Sequence, residues 1–233
     1  MMQKDKNVIK RGEVSFDKRF FQRGSDSIKD KSIEERFNYI YRTNHWSGKK
    51  SISGQGSDLS QTKTIRENLP KIFLKYSIQS ILDLPCGDFN WMEKTSLNLS
   101  SYIGADIVQE IININNQNYS SEKRRFVKLD ITKDPLPQVD LIFSRDCFVH
   151  LSNEDILKAI TNIKKSKAKL LMTTTFTACE FNEDILTGDW RILNLMKKPF
   201  CFPKATLVLN ENCTEGNGTY TDKSLGLWKV NDL

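Results

Sequence analysis

The chain has 233 residues, 38% of them apolar, 10% aromatic and 27% charged, enough to bury roughly 70–75% of the unfolded surface without a disulfide or metal staple. No window reaches the ~20 consecutive apolar residues of a membrane span, and MMQKDKNVIKRGEVSFDKRFFQRG holds no apolar stretch like that of a secretory signal. A cytoplasmic protein with no membrane span is therefore expected, with one domain over residues 1–233. The net charge of +6 lies entirely in residues 1–50, which carry 13 Lys and Arg against 7 Asp and Glu, whereas the remaining 183 residues carry 22 of each sign. Such an arm suits nucleic acid, phosphate or an anionic acceptor, or is a solvated leader. Five cysteines, Cys86, Cys147, Cys179, Cys201 and Cys213, form no C-x-x-C pair, and the chain has only two histidines, His45 and His150. That pattern argues against a zinc site or a disulfide framework, and no metal is expected.

Residues 1–31 are charged and aperiodic, read as an irregular basic leader with one apolar spot at Phe16, Phe20 and Phe21. SIEERFNYIYRT (32–43) predicts a helix: Ser32 and Glu35 match a capping box, and Ile33, Phe37, Ile40 and Tyr41 recur at helical spacing. The Gly- and Ser-rich run 44–60 predicts a loop. A second helix is expected from SDLSQTKTIRENLPKIFLKYS (57–77), with Leu59, Ile65, Leu69 and Ile72 on or near one face. From residue 79, short apolar runs at 79–84, 101–107, 125–131, 139–146 and 169–176 predict strands. Helices are expected at 108–118 and 152–166, the latter opened by Ser152 and Asp155. This alternation predicts an α/β fold, a parallel sheet with helices on both faces. After residue 176 it breaks, and two late strands at 206–212 and 224–230 predict an antiparallel hairpin at one sheet edge.

In an open α/β sheet, ligands bind beyond the carboxyl ends of the strands, and the polar residues of this chain gather there. The first strand runs into Asp83-Leu84-Pro85-Cys86-Gly87-Asp88-Phe89. The glycine permits close backbone approach, and a following helix is expected to point its N-terminal amides at the ligand. Asp106 lies 23 residues beyond Asp83, at the spacing of an acid that accepts hydrogen bonds from both ribose hydroxyls of a nucleoside. Asp130 and Ile131 end the third strand, placed for an adenine's amino group and ring face. Turn-fixing is the alternative use of each carboxylate. Beyond the fourth strand, Asp146 and His150 are four apart, so a helical turn would put them on one face. A histidine near its ordinary pKa of ~6.5 suits removal of a hydroxyl proton; a core histidine bonded to backbone is the alternative. Arg145 is a candidate to grip an anionic acceptor or brace a cofactor carboxylate. Trp190 and Arg191 in TGDWRILNL are candidates to stack on and pair with a sugar or phosphate, with core packing the other use of Trp190. No G-x-G-x-x-G dinucleotide fingerprint is present.

Taken in order, ILDLPCGDF, YIGADI, FVKLDIT and DLIFSRDCFVHLS resemble the cofactor motifs of class I S-adenosylmethionine-dependent methyltransferases, over about residues 79–230. The resemblance implies a Rossmann-like, mostly parallel seven-stranded sheet, with S-adenosylmethionine as cofactor and S-adenosylhomocysteine as product. It implies that Gly87, with Cys86 and Asp88, faces the methionine part, that Asp106 with Ile107 binds ribose, and that Asp130 with Ile131 binds adenine. Asp83, Trp91 and Arg145 complete the implied cofactor set, and His150 with Asp146 the catalytic one. One position departs: Phe89 stands where the family has a second glycine, so the turn must be shaped differently, with Asp88 or Trp91 against the cofactor. HWSGKKSISGQGS (45–57) lies where related enzymes fold an N-terminal element over the cofactor, which makes Trp46 a candidate acceptor contact. The whole chain, including GSDLSQT and TGDWRILNL, is similar to bacterial methyltransferases of surface-polysaccharide pathways. That similarity implies O-methylation of a small-molecule or glycan-linked acceptor, a sugar-linked phosphoramidate or phosphate being one such group. The Asn/Asp-Pro-Pro-aromatic signature of amino-methylating DNA enzymes is absent. An RNA methyltransferase using the basic arm and a non-catalytic nucleotide-binding module are the alternatives.

Overall fold

The computed structural model describes residues 17–233, so Phe16 and the first half of the basic leader lie outside the described residues. From Asp17 onward the leader is ordered rather than irregular, forming two one-turn helices, α1 (Phe20–Arg23) and α2 (Asp26–Lys29). A single turn leaves no periodic signature and draws its stability from tertiary contacts. Here Phe21 is fully buried, Phe20 stacks on Tyr39, and the Phe21 and Gln22 amides donate to the Asp189 carboxylate at 2.7 and 3.0 Å.

Helix α3 (Ile33–Thr43) opens with the expected capping box, the Ser32 amide donating to Glu35 at 2.7 Å and the Glu35 amide to the Ser32 hydroxyl at 3.3 Å. It ends at Asn44, whose φ of 48° starts the Gly/Ser loop. Helix α4 (Lys63–Lys75) begins later than the apolar spacing predicts. Residues 57–62 make turns instead, with the Thr62 hydroxyl bonded back to the Asp58 carbonyl at 3.0 Å and Leu59 39% exposed. Short polar side chains that bond local backbone compete with a helix in this way.

Seven strands follow: β1 (Ser80–Asp83), β2 (Ser101–Asp106), β3 (Arg124–Lys128), β4 (Leu141–Ser144), β5 (Leu170–Phe176), β6 (Leu207–Asn210) and β7 (Lys223–Lys229). They form one sheet in the order β3-β2-β1-β4-β5-β7-β6. β1 to β5 run parallel, and β7 is antiparallel to both β5 and β6. Helices α5 (Gln109–Tyr119) and α6 (Asn153–Lys165) connect β2 to β3 and β4 to β5. Successive strand residues point to opposite faces. Leu82, Ile103, Ile142 and Leu171 pack with Ile156, Ala159 and Ile163 of α6. Their neighbours Ile81, Tyr102, Leu141, Phe143 and Met172 pack with Ile65, Leu69 and Ile72 of α4 and Ile112 of α5. The chain order reverses at β1 and β4, which is where such a sheet opens a crevice.

The helix expected after β1 is absent. Residues 84–100 form turns only, which bury Trp91, Met92 and Thr95. Thr95-Ser96-Leu97-Asn98-Leu99-Ser100 is rich in poor helix formers and too short beyond Phe89 to sustain one. No helix among the described residues is long and apolar enough to cross a membrane.

Ile163 is fully buried between α6 and the sheet, whereas Leu74 on α4 is 84% exposed. Ile163→Ala should therefore cost about 2–5 kcal/mol, and Leu74→Ala less than about 0.5 kcal/mol, read as shifts of the urea unfolding midpoint.

Candidate active site

Beyond the carboxyl ends of the central strands lies a cleft of about 1130 Å³, partly open to solvent. It gathers every residue named from the sequence for the cofactor: Asp83, Cys86, Gly87, Asp88, Trp91, Asp106, Ile107, Asp130, Ile131 and Arg145. Phe37 and Tyr41 of α3 and Ile52 of the Gly/Ser loop complete an apolar wall.

The turn after β1 depends on left-handed backbone at two positions. Gly87 has φ of +52°, and a Cβ there would stand 2.1 Å from the Ser53 Oγ, so a side chain would be strained and would push the Ser53 hydroxyl of the Gly/Ser loop aside. Its carbonyl accepts from the Asn115 amide at 2.7 Å. Phe89, in place of a second glycine, keeps φ of +58°. Its ring is turned into the core against Tyr102, Tyr119 and Phe126, each centroid 5.2 Å away. Burial of the ring offsets the backbone strain that a glycine would not incur. Asp88 lines the cleft and also holds the loop over it, accepting from the Ser51 hydroxyl at 3.1 Å and the Ile52 amide at 3.0 Å.

The strand-end acids differ in surroundings. Asp83 accepts from the Tyr102 hydroxyl, and burial pushes its pKa up to about 7 despite that bond. Asp106 accepts from the Val108 amide at 3.0 Å and the Gly87 amide at 3.3 Å, one on each oxygen. Each oxygen keeps a second lone pair. Burial raises Asp106 to about 6 against the pull of those amides. Asp130 accepts from the Thr132 amide and hydroxyl at 2.9 and 2.7 Å.

A second cavity of about 810 Å³ adjoins the first, and Trp46, Ser53, Asp146 and His150 line both. Its other walls include Lys18, Gln55, Phe176, Trp190, Glu215, Tyr220 and Lys223. His150 Nδ1 lies 3.0 Å from the Asp189 carbonyl oxygen. A carbonyl only accepts, so Nδ1 carries the proton and Nε2 is left as the acceptor. Burial pushes the imidazole down to about 4, so it is neutral at neutral pH. Trp46 lies against the ring, its centroid 4.5 Å away and its plane tilted by 30°, and its buried indole Nε1 has no partner among the described residues.

Asp146 and His150 meet, but not through the helical turn expected. Asp146 has φ of +53°, and Phe148–His150 is a single 3-10 turn. The Asp146 amide donates to the Thr174 hydroxyl at 2.8 Å. Its carboxylate takes Lys223 at 2.7 Å, Thr174 at 3.1 Å and Arg145 at 3.3 Å. Burial would raise its pKa, but Arg145 and Lys223 outweigh burial and hold it well below the usual carboxylate range. Asp146 is therefore an anion at neutral pH and no proton acceptor. Arg145 is committed as well, with Glu211 gripped at 3.1 and 2.8 Å and the Gly56 carbonyl at 2.9 Å. Trp190 packs against Tyr220 at 5.2 Å. Arg191 lines neither cavity: its guanidinium donates to the Phe148 carbonyl at 2.6 Å, the Glu183 carbonyl at 3.1 Å and Asn153 at 3.2 Å. It braces the 148–150 turn from behind. Sequence reasoning missed Lys18, Glu211, Tyr220 and Lys223. The one available signal was a lone lysine opening the apolar run SLGLW.

Residues 81–168 match the model of a methyltransferase domain family. No curated protein matches the chain. Among solved structures, an S-adenosylmethionine-dependent methyltransferase from Clostridium acetobutylicum superposes with a TM-score of 0.55 at 14% identity, over 85% of this chain and 99% of that one. The N-methyltransferase NodS from Bradyrhizobium japonicum gives 0.51 at 15% identity, over 72% and 96%. Human N-acetylserotonin methyltransferase, solved in complex with S-adenosylmethionine, gives 0.50 at 15% identity, over 86% of this chain and 61% of that one. At such identities the superpositions establish the fold, and the domain match over β1 to α6 agrees with it. The chain therefore has the fold of class I S-adenosylmethionine-dependent methyltransferases, with a methyltransferase domain match over residues 81–168. The cleft's lining suits that cofactor, with the buried Asp106 carboxylate beyond β2 and Asp130 and Ile131 beyond β3.

Asp106→Ala should weaken S-adenosylhomocysteine binding by roughly 1.5–3 kcal/mol, the size of lost charge-assisted hydrogen bonds. If ribose hydroxyls donate to Asp106, they favour its carboxylate form, and bound ligand should lower its pKa from about 6. Affinity should be level above pH 6 and fall below it. Calorimetry across pH checks both, and unchanged affinity in a folded variant removes Asp106 from the ribose site.

Proposed function

We propose that the chain transfers the methyl group of S-adenosylmethionine to an oxygen of a small-molecule or glycan-linked acceptor seated in the second cavity, with His150 Nε2 taking the proton. The observation that carries this reading is the common wall of the two cavities: Trp46, Asp146 and His150 stand between the motif-lined cleft and an aromatic-walled chamber. The cofactor supplies a methyl group activated on a sulfonium sulfur. In this reading Asp106 and Asp130 hold the nucleoside, and Gly87 lets the backbone close on the amino-acid end. Trp46, Trp190 and Tyr220 offer flat faces to a sugar ring, with Gln55 and Glu215 in reach of its hydroxyls. Holding acceptor and methyl group in line supplies much of the acceleration. The neutral His150, its Nδ1–H spent on Asp189, accepts the hydroxyl proton at Nε2. Ionised Asp146 stabilises the resulting imidazolium.

One feature favours a second acceptor, a sugar-linked phosphate or phosphoramidate, as in surface-polysaccharide pathways. Lys18 at the chamber's mouth pairs with no carboxylate among the described residues, its ammonium lying 4.6 Å from the Trp190 ring centroid. An oxygen already ionised needs no base.

For a hydroxyl acceptor, His150→Ala should lower kcat by ~10²–10⁴ and leave S-adenosylhomocysteine affinity unchanged. Wild-type kcat/KM should hold from pH 7 downward and fall near pH 4, where His150 protonates. For an ionised acceptor the variant should raise KM alone. Unchanged kcat and KM would remove His150 from the chemistry.

A further inference from the structure

The wall of the acceptor cavity opposite the Gly/Ser loop is built partly by the leader. Lys18 lies over the Trp190 and Tyr220 rings, at 4.6 and 5.1 Å from their centroids, and donates to the Tyr220 hydroxyl. Its backbone carbonyl accepts from the Trp190 amide at 3.0 Å. That amide belongs to the peptide unit whose carbonyl, on Asp189, accepts the His150 Nδ1–H at 3.0 Å. A peptide unit is a rigid plane. Its N–H is therefore held by the leader while its C=O orients the imidazole, and neither end turns without the other. The unit is fixed on both sides. The Asp189 carboxylate, 1% exposed, takes the Phe21 and Gln22 amides at 2.7 and 3.0 Å. Phe21 packs on Gly188, where a Cβ would stand 2.8 Å from its ring. Toward the 148–150 turn, the Gly188 and Arg191 amides donate to the carbonyls of His150 and Val149 at 2.8 and 3.1 Å.

We propose that residues 18–22 are a positioning segment for His150: docked on Asp189 and Trp190, with Lys18 on the wall of the acceptor cavity, they determine, through the Asp189–Trp190 peptide, which ring nitrogen carries the proton. The inference rests on the reading of His150 as proton acceptor. With the segment in place Nδ1 is protonated and Nε2 free to accept. With it undocked, Asp189 loses two amide donors, the peptide loses the Lys18 carbonyl that holds it, and the imidazole is free to adopt the other tautomer. The base is thus set only when the cavity wall is complete, a hydrogen-bond chain from the main chain of Lys18 to the reacting edge of the ring.

The test is nitrogen-15 NMR of the imidazoles in the full-length protein. With only two histidines in the chain, His150→Gln assigns the signals by removing one set. Wild type should show His150 protonated on Nδ1. Asp189→Asn and Phe21→Ala each loosen the docked segment, and S-adenosylhomocysteine binding reports that the variants remain folded. In either folded variant the Phe21 and Gln22 amides should exchange faster, and the His150 Nε2 resonance should shift toward its protonated position. Faster exchange with His150 still protonated on Nδ1 alone would overturn the inference, as would wild-type protein protonated on Nε2. An unchanged rate in His150→Ala would instead remove the base reading while leaving the tautomer shift in place, so the two failures are distinguishable.

Discussion

The carboxyl end of the sheet is held together by a buried ionic cluster. Arg145, Glu211 and Lys223 have side chains 5%, 1% and 6% exposed, and Asp146 and Glu215 close the set. Arg145 follows β4, Glu211 follows β6 and Lys223 opens β7. They meet because β7 runs antiparallel to β5: its first residue, opposite Phe176, arrives at the end of the sheet where the parallel strands finish. The same guanidinium holds the Gly56 carbonyl, fixing the Gly/Ser loop above the site. Taking such charges out of water is costly, and removing one partner from a buried pair costs about 3–5 kcal/mol. Losing any one member would leave its partners buried and uncompensated. Burial opposes the Arg145 charge, but Asp146 and Glu211 outweigh it and keep the guanidinium protonated. The strand ends, the loop and the wall of the second cavity are tied together through these shared side chains.

From that anchor the two cavities take their complementary characters. The first is shaped by backbone: a left-handed glycine under Ser53, and acids whose own amide bonds fix their orientation. In the proposed reading such a site holds a nucleoside in one fixed geometry. The second is walled by aromatic rings and floored by charges already paired with one another. In the proposed reading a surface of that kind selects by shape and stacking, with the neutral imidazole as proton acceptor. Asp88 links the two by tying Ser51 and Ile52 of the loop to the turn after β1.

Much of this was legible in the sequence because period and position carry it. The strand runs, the Ser32 and Ser152 caps and the acids at strand ends all express local rules, and the structure places those acids in one cleft. What escaped is what local rules do not encode. Phe89 looked like a disruption of the turn, yet the backbone keeps a glycine-like φ because the ring finds an aromatic core that only the folded sheet supplies. The turns of 84–100 and the one-turn helices of the leader owe their form to burial of Trp91, Met92 and Phe21, not to propensity. Arg191 matched the pattern of a ligand-binding arginine, but its donors are spent on the Phe148 and Glu183 carbonyls. Lys223 and Glu211, with unremarkable sequence neighbours, became central only through the antiparallel strand that brings them to Asp146.

The central claim is that the cofactor cleft and the acceptor chamber meet at Trp46, Asp146 and His150. A crystal structure with S-adenosylhomocysteine tests it most directly. The account predicts ribose hydroxyls on Asp106, the adenine against Ile131, and the sulfur directed at that shared wall with a clear line to the His150 Nε2. A thioether turned away from the wall, or a nucleoside seated outside the cleft, would contradict it.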